Sequence, residues 1–379
     1  MGRYSTAVVV GAGIAGASAA LNLRRRGIDV TLYDAWEPGH AGAASGGEHR
    51  ILRACHGADE YYTRMVREAR LRWLELGAEA GQELFVECGA VMMAHERSTA
   101  WEDAARTTFE KLGIPHFVTD PAELAIRLPV VDTRGIKYAL WEPEAGFVYA
   151  KKGVLATIAR FTDLGGHVKR GRVTTDAQER PCVDGKAIEA DVIIMAAGAW
   201  MPALFRRTLG PLLEIERQDV IMIAPPPGDQ RYDQTHFPAW IDHGYPAYGI
   251  PAAGGYGFKA VITWHHLPID MDRDDRVVHE TAVARTRRYL AHRFPGLVDQ
   301  PITQMAVGQI CSTRDTHYII DFHPEHPNVL FAAGDSGHLY KHGPVIGDHI
   351  ASVAIKAEPV ERRFAYGPHH PVALVNRPQ

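Results

Sequence analysis

Short apolar runs that stop at glycine alternate along this chain with longer segments in which apolar residues return every three or four positions. Val8, Val9 and Val10 form a β-branched run ended by Gly11. Ile14 to Arg26 then reads as a helix closed by Gly27, and Asp29 to Tyr33 as a second strand. The three make a βαβ unit. Its unbroken apolar first strand suits a parallel sheet covered on both faces, whereas alternation would imply one wet face. Val192-Ile193-Ile194-Met195-Ala196-Ala197-Gly198 and Val329-Leu330-Phe331-Ala332-Ala333-Gly334 repeat the pattern, so both are expected to return to that sheet. From Tyr62, Met65, Val66, Ala69 and Trp73 recur at helical spacing, with Gly77 as the expected stop. Another helix is expected over Asp275 to Phe294, ended by Pro295.

Between these segments lie Pro/Gly-rich turns and mixed strands, about Cys88 to Trp141 and Leu212 to Gln309. With 379 residues and a soft prior of roughly 100 to 200 residues per domain, two packed domains are expected. The fold class is α/β: a Rossmann-like dinucleotide-binding domain from 1–87, 142–211 and 310–365, and an inserted α+β substrate domain on a mixed antiparallel sheet from 88–141 and 212–309. A proline-dotted tail, 366–379, is expected to wrap the surface.

Composition narrows the partners. A formal net charge of -4 with 23% charged residues is ordinary for a globular protein and argues against nucleic acid or an anionic membrane. Cys55, Cys88, Cys182 and Cys311 stand far apart, so neither a disulfide framework nor a zinc ribbon is suggested, and a cytoplasmic location is expected. No apolar run approaches the roughly 18 residues of a spanning helix. Met1 to Thr6 fits a loose myristoylation pattern, read as coincidence because a strand follows at once. Size and charge leave the oligomeric state between a monomer and a weak homo-oligomer.

Gly11-Ala12-Gly13-Ile14-Ala15-Gly16 follows a strand and opens a helix, so its glycines can turn tightly, admit a pyrophosphate and let helix and strand approach. The helix N-terminus then presents unpaired N–H groups to the phosphates. Asp34 ends the second strand, where a carboxylate accepts hydrogen bonds from ribose hydroxyls and repels a 2′-phosphate, which disfavours NADP. The two later glycine-ended strands favour a long cofactor such as FAD over NAD.

Beyond this unit, Gly47-Glu48-His49-Arg50-Ile51-Leu52-Arg53 resembles the flavin-proximal segment of the monomeric sarcosine oxidase and N-methyltryptophan oxidase family, within the D-amino acid oxidase-like flavoproteins. Trp141 to Gly146, Ala197-Gly198-Ala199-Trp200, Gly257-Phe258-Lys259, Ile319 to His326 and Ala333 to Lys341 resemble further landmarks of that family, in its order. The resemblance implies FAD, bound by Gly11, Gly13, Ile14, Ala15, Gly16, Asp34, Arg50, Val173, Ala197, Gly198, Trp200, Gly334, Gly337, His338 and Lys341. It also implies a thioether from Cys311 to the flavin 8α-methyl group, although the run from Cys311 to His317 is a few residues shorter than in the family.

By the same resemblance Lys259 is a lysine near flavin N5 that speeds the reaction with oxygen, since a fixed cation in a dry pocket stabilises superoxide as it forms. Arg53 and Lys341 are expected to grip a substrate carboxylate, Arg50 to lie beside the flavin, and Tyr248 to shape the substrate pocket. Two positions depart from the pattern: Ala58 replaces an acidic residue, and Asp335 an apolar one. No metal is expected at His265-His266 or at His317, His323 and His326, whose spacing fits no helical ligand pair. The expected function is oxidation of a secondary amine, an N-alkyl or cyclic amino acid, to an imine with release of hydrogen peroxide. The alternative is a dehydrogenase of the same fold using an acceptor other than oxygen.

Overall fold

The computed structural model describes residues 4–263 and 267–367. Met1 to Arg3, His265, His266 and most of the tail therefore lie outside the described residues. The described helices are α1 (Ile14–Arg25), α2 (Glu60–Ala80), α3 (Ala100–Leu112), α4 (Pro121–Arg127), α5 (Ala150–Asp163), α6 (Met201–Leu204), α7 (Glu280–Arg293) and α8 (Leu339–Ala354).

The glycine-ended strands meet in one six-stranded sheet, in the order Ile319–Phe322, Val329–Ala333, Val192–Met195, Thr6–Val10, Asp29–Asp34, His167–Arg170. All neighbours are parallel except the first pair. Val9, Ile194, Leu330 and Leu32 are fully buried, as continuous apolar runs on a sheet covered from both sides should be. One cover is α1 packed on α8. Their axes come close because Gly343 and Gly347 leave room: a Cβ on Gly347 would overlap Ser18, and one on Gly343 would overlap Ile14.

An eight-stranded mixed sheet runs Ile302–Ser312, Glu214–Ile223, Phe258–Ile262, Ala247–Ile250, Ala239–Asp242, Ala90–His95, Ile136–Glu142, Phe117–Thr119. It is antiparallel except where Ala239–Asp242 lies beside Ala90–His95. Leu290 and Phe294 of the α7 segment join Trp240 and Phe258 in its core. The buried Arg293 guanidinium holds Asp242 at 2.8 Å, with the Tyr289 hydroxyl donating to the same carboxylate at 3.1 Å. A small sheet of His49–Leu52, Gly146–Tyr149 and Phe85–Val86 carries the arginine segment.

Two helix limits differ from expectation. Helix α2 runs through Gly77 and stops at Gly81, whose φ of 63° ends it, with the Gln82 N–H returning to the Gly77 carbonyl at 3.0 Å. Gly77 is small for packing: a Cβ there would lie 2.9 Å from the Gln82 carbonyl oxygen. Helix α7 begins at Glu280, not Asp275, because Asp274 and Asp275 accept the N–H groups of Arg276 and Val277 in local turns, and Arg276 takes a φ of 57°.

Candidate active site

The C-terminal ends of Thr6–Val10, Asp29–Asp34, Val192–Met195 and Val329–Ala333 open onto one cavity of about 1630 Å³, and the second sheet closes its other side. This is where ligands bind in open α/β sheets. The volume exceeds the roughly 300–1000 Å³ of a pocket for a drug-sized ligand and leaves room for a dinucleotide plus a substrate.

One end of the cavity is built by the glycine turn. Gly11 has a φ of 103°, and a Cβ there would overlap the Ala196 carbonyl oxygen; one on Gly16 would overlap that of Gly11. Helix α1 starts from Gly13 with no side-chain cap of its own, and the Ser45 hydroxyl accepts the Ile14 N–H at 3.1 Å. The following N–H groups of that first turn lack intrahelical partners. Asp34 accepts from the N–H groups of Ala12 at 2.6 Å and Trp36 at 2.9 Å, which fixes its carboxylate at the end of its strand. Val173, Ala197, Gly198 and Trp200 line the same end. A Gly11→Ala chain is expected to accumulate as insoluble or colourless protein, since both the φ and the Ala196 overlap forbid the cradle; a soluble yellow product with ordinary flavin content would contradict this.

At the opposite end the second sheet meets the arginine segment. Lys259 is buried and donates to the His49 carbonyl at 3.0 Å, and the Arg50 guanidinium donates to that oxygen at 2.8 Å. Burial first, then the Arg50 charge, pushes the Lys259 ammonium down to about 7. Arg50 also bonds the Ala44 carbonyl and sits 5.8 Å from the Tyr340 ring centroid. Tyr248 lines the cavity from the strand beside that of Lys259. Lys341 donates to the Arg53 carbonyl at 3.2 Å, and burial holds its ammonium well below the usual lysine range. The Arg53 guanidinium stacks on Trp101 at 5.1 Å, and its buried Nη1 has no hydrogen-bond partner. Behind Arg53, the Glu142 carboxylate accepts the N–H groups of Ala54 and Cys55, fixing the backbone just past the arginine.

Gly334, Gly337 and His338 complete the wall, so the cavity gathers the expected residues except Gly16 and Cys311. Gly16 acts one layer behind, where helix meets strand. Cys311 is fully buried in an apolar cluster that includes Val10, Met195, Phe331 and Ala333, and it does not line the cavity. Burial, and then the Asp335 charge, pushes its thiol up, away from the reactive thiolate. Asp335 accepts the N–H groups of Cys311 and Gly337, and burial raises its carboxyl to about 6.

Pattern reading missed Ser45, His56, Tyr62, Trp101 and His243 on the cavity wall. Only tertiary contacts assemble them: His243, for instance, pairs with buried Glu102 from α3. His338 and His342 did carry a local signal, the i, i+4 spacing of imidazoles on one helix face.

Comparison with known proteins agrees in extent and kind. The chain is similar to monomeric sarcosine oxidase of Bacillus sp. (strain NS-129), 25% identical over 93% of this chain and 94% of that protein. It is also similar to N-methyl-L-tryptophan oxidase of Yersinia pestis, 26% identical over 92% and 94%. Among solved structures, L-proline dehydrogenase from P. horikoshii superposes with a TM-score of 0.83 at 20% identity, covering 97% of this chain and 98% of that one. The FAD dependent oxidoreductase (DAO) family pattern matches residues 6–353, and the chain belongs to that family.

Proposed function

We propose that this chain oxidises a secondary amine, an N-alkyl or cyclic amino acid held through its carboxylate, to an imine that is hydrolysed or released, with oxygen reduced to hydrogen peroxide. The observation that carries this reading is the pair Arg53 and Lys341 at one end of the cavity. Arg53 keeps a buried guanidinium nitrogen without a partner, and the Lys341 ammonium has donors beyond its bond to the Arg53 carbonyl. A carboxylate is the ligand that answers both.

The residues present fit FAD. The cradle at Gly11 and Gly16 is one that a Cβ would fill, and the N-terminus of α1 favours a pyrophosphate. Asp34 would take ribose hydroxyls. Val173, Ala197, Gly198 and Trp200 would flank the adenine half, and Gly334, Gly337 and His338 the flavin half. Bound FAD supplies the two-electron acceptor for the C–H bond beside nitrogen and the route to oxygen. The chain itself orients the substrate through Arg53 and Lys341, bounds it with Tyr248 and keeps Lys259 as a fixed cation in a dry site. We further read the first sheet as the cofactor domain, the second as the substrate domain, and the free thiols as suited to a reducing cytoplasm.

The burial of Cys311 among apolar side chains favours a non-covalent flavin over the thioether. Acid precipitation should leave the yellow colour in the supernatant; colour in the pellet would restore the covalent reading. A panel of secondary amines read by peroxide release tests the activity. Turnover is expected with carboxylate-bearing substrates, and silence across the panel with flavin-loaded enzyme would overturn it.

A further inference from the structure

Close to Arg53 and Lys341 the fold assembles three imidazoles from two segments. His338 is the N-cap residue of α8 and His342 stands four positions on, so the two share a face. His56, three residues beyond Arg53, stacks on His342 with ring centroids 5.5 Å apart and meets His338 edge-on at 5.5 Å. One ring nitrogen from each lies within 4.8 Å of the other two.

The hydrogen bonds define how these rings point. The Thr316 carbonyl can only accept, so His338 Nε2–H donates to it at 2.9 Å. The Tyr318 hydroxyl lies 2.9 Å from His338 Nδ1 and 2.7 Å from His342 Nδ1, bridging the two rings. His342 Nε2 is buried without a hydrogen-bond partner, and so is His56 Nε2.

We infer that His56, His338 and His342 form a binding site for one divalent transition-metal ion, its open position facing the substrate cavity. His342 presents Nε2 while Tyr318 holds its other nitrogen, the arrangement that orients a metal-ligating histidine. His338 joins by yielding one of its present hydrogen bonds, and the three nitrogens draw together by something on the order of 1 Å to reach metal–nitrogen distances of about 2.0–2.1 Å. The cations Arg53 and Lys341 oppose a weakly held ion. The site therefore selects ions with high imidazole affinity, Cu²⁺ ahead of Zn²⁺, and rejects Mg²⁺ and Ca²⁺, which need oxygen ligands.

The test uses flavin-loaded enzyme, stripped with a chelator and dialysed against CuSO₄, ZnCl₂ or MgCl₂ alone, with bound metal counted by atomic absorption. Saturable uptake of one Cu²⁺ or Zn²⁺ per chain is expected, with nitrogen hyperfine splitting in the copper EPR spectrum and no uptake of Mg²⁺. His56→Asn, in a loop, and His342→Asn should each weaken binding by at least about 10-fold, and Tyr318→Phe by about 10-fold. The exposed His236→Asn control should bind as the wild type does. Far-UV circular dichroism and flavin absorbance confirm folding of each variant. Absence of saturable uptake in the wild type, or equal affinity in folded His56→Asn and His342→Asn, would overturn the assignment.

Discussion

Exchanging Lys259 for Met is expected to slow the reaction of the reduced enzyme with oxygen by about 100-fold or more while leaving reduction by substrate nearly unchanged. Methionine matches the length of the lysine stem and suits a buried position, so the change removes charge more than volume. The charge is what matters. Lys259 is pinned to the His49 carbonyl beside Arg50, a cation needing no reorganisation when negative charge develops on oxygen. Its ammonium has been pushed from 10.5 down to about 7, so the charged form is complete below that value and is lost as pH rises through it. The wild-type oxygen rate should accordingly fall as pH climbs past about 7, and the Met variant should show no such step. Stopped-flow measurement of each half-reaction separates the cases. Equal losses in both would assign Lys259 to substrate handling, and an unchanged oxygen rate would favour an acceptor other than oxygen.

Removing the Arg53 fork has the second large effect. Arg53→Met is expected to raise KM for a carboxylate-bearing substrate by about 100-fold, the scale for truncating one partner of a buried charge pair. The matching amide, which carries no charge, should be affected far less. Arg53→Lys should recover only part of the loss, because a lysine has no planar fork and cannot stack on Trp101 in the same way. Steady-state kinetics on the acid and its amide provide the comparison. A loss of equal size for both substrates would mean that Arg53 supports the cavity wall and not the carboxylate.

The glycine turn was legible in the chain because physics leaves few alternatives there. A parallel strand buried on both faces must be a continuous apolar run, and the turn after it admits only glycine at Gly11, where φ and the Ala196 carbonyl both exclude a side chain. Gly77 misled for the opposite reason: glycine also appears inside helices where another segment crowds close, and only the position of Gln82 reveals it. The end of the cavity around Lys259 and Arg53 depends on segments far apart in sequence. Lys259 was reached through resemblance alone, and His56, Trp101 and His243 by nothing local. Cys311, expected at the flavin by resemblance, is buried in an apolar cluster and does not line the cavity.

The sheet order also governs how the protein is made. Thr6–Val10 has Val192–Met195 as one neighbour, far along the sequence, and that strand in turn awaits Val329–Ala333, farther still. Such distant pairings make folding slow, and an unpaired valine run is prone to aggregate while it waits. The glycine turn after Thr6–Val10 thus reaches its final setting only when strands far along the sequence have joined the sheet. Yield in a producing cell would then be set by chaperone protection of that early strand, and added riboflavin would help only the last step of assembly.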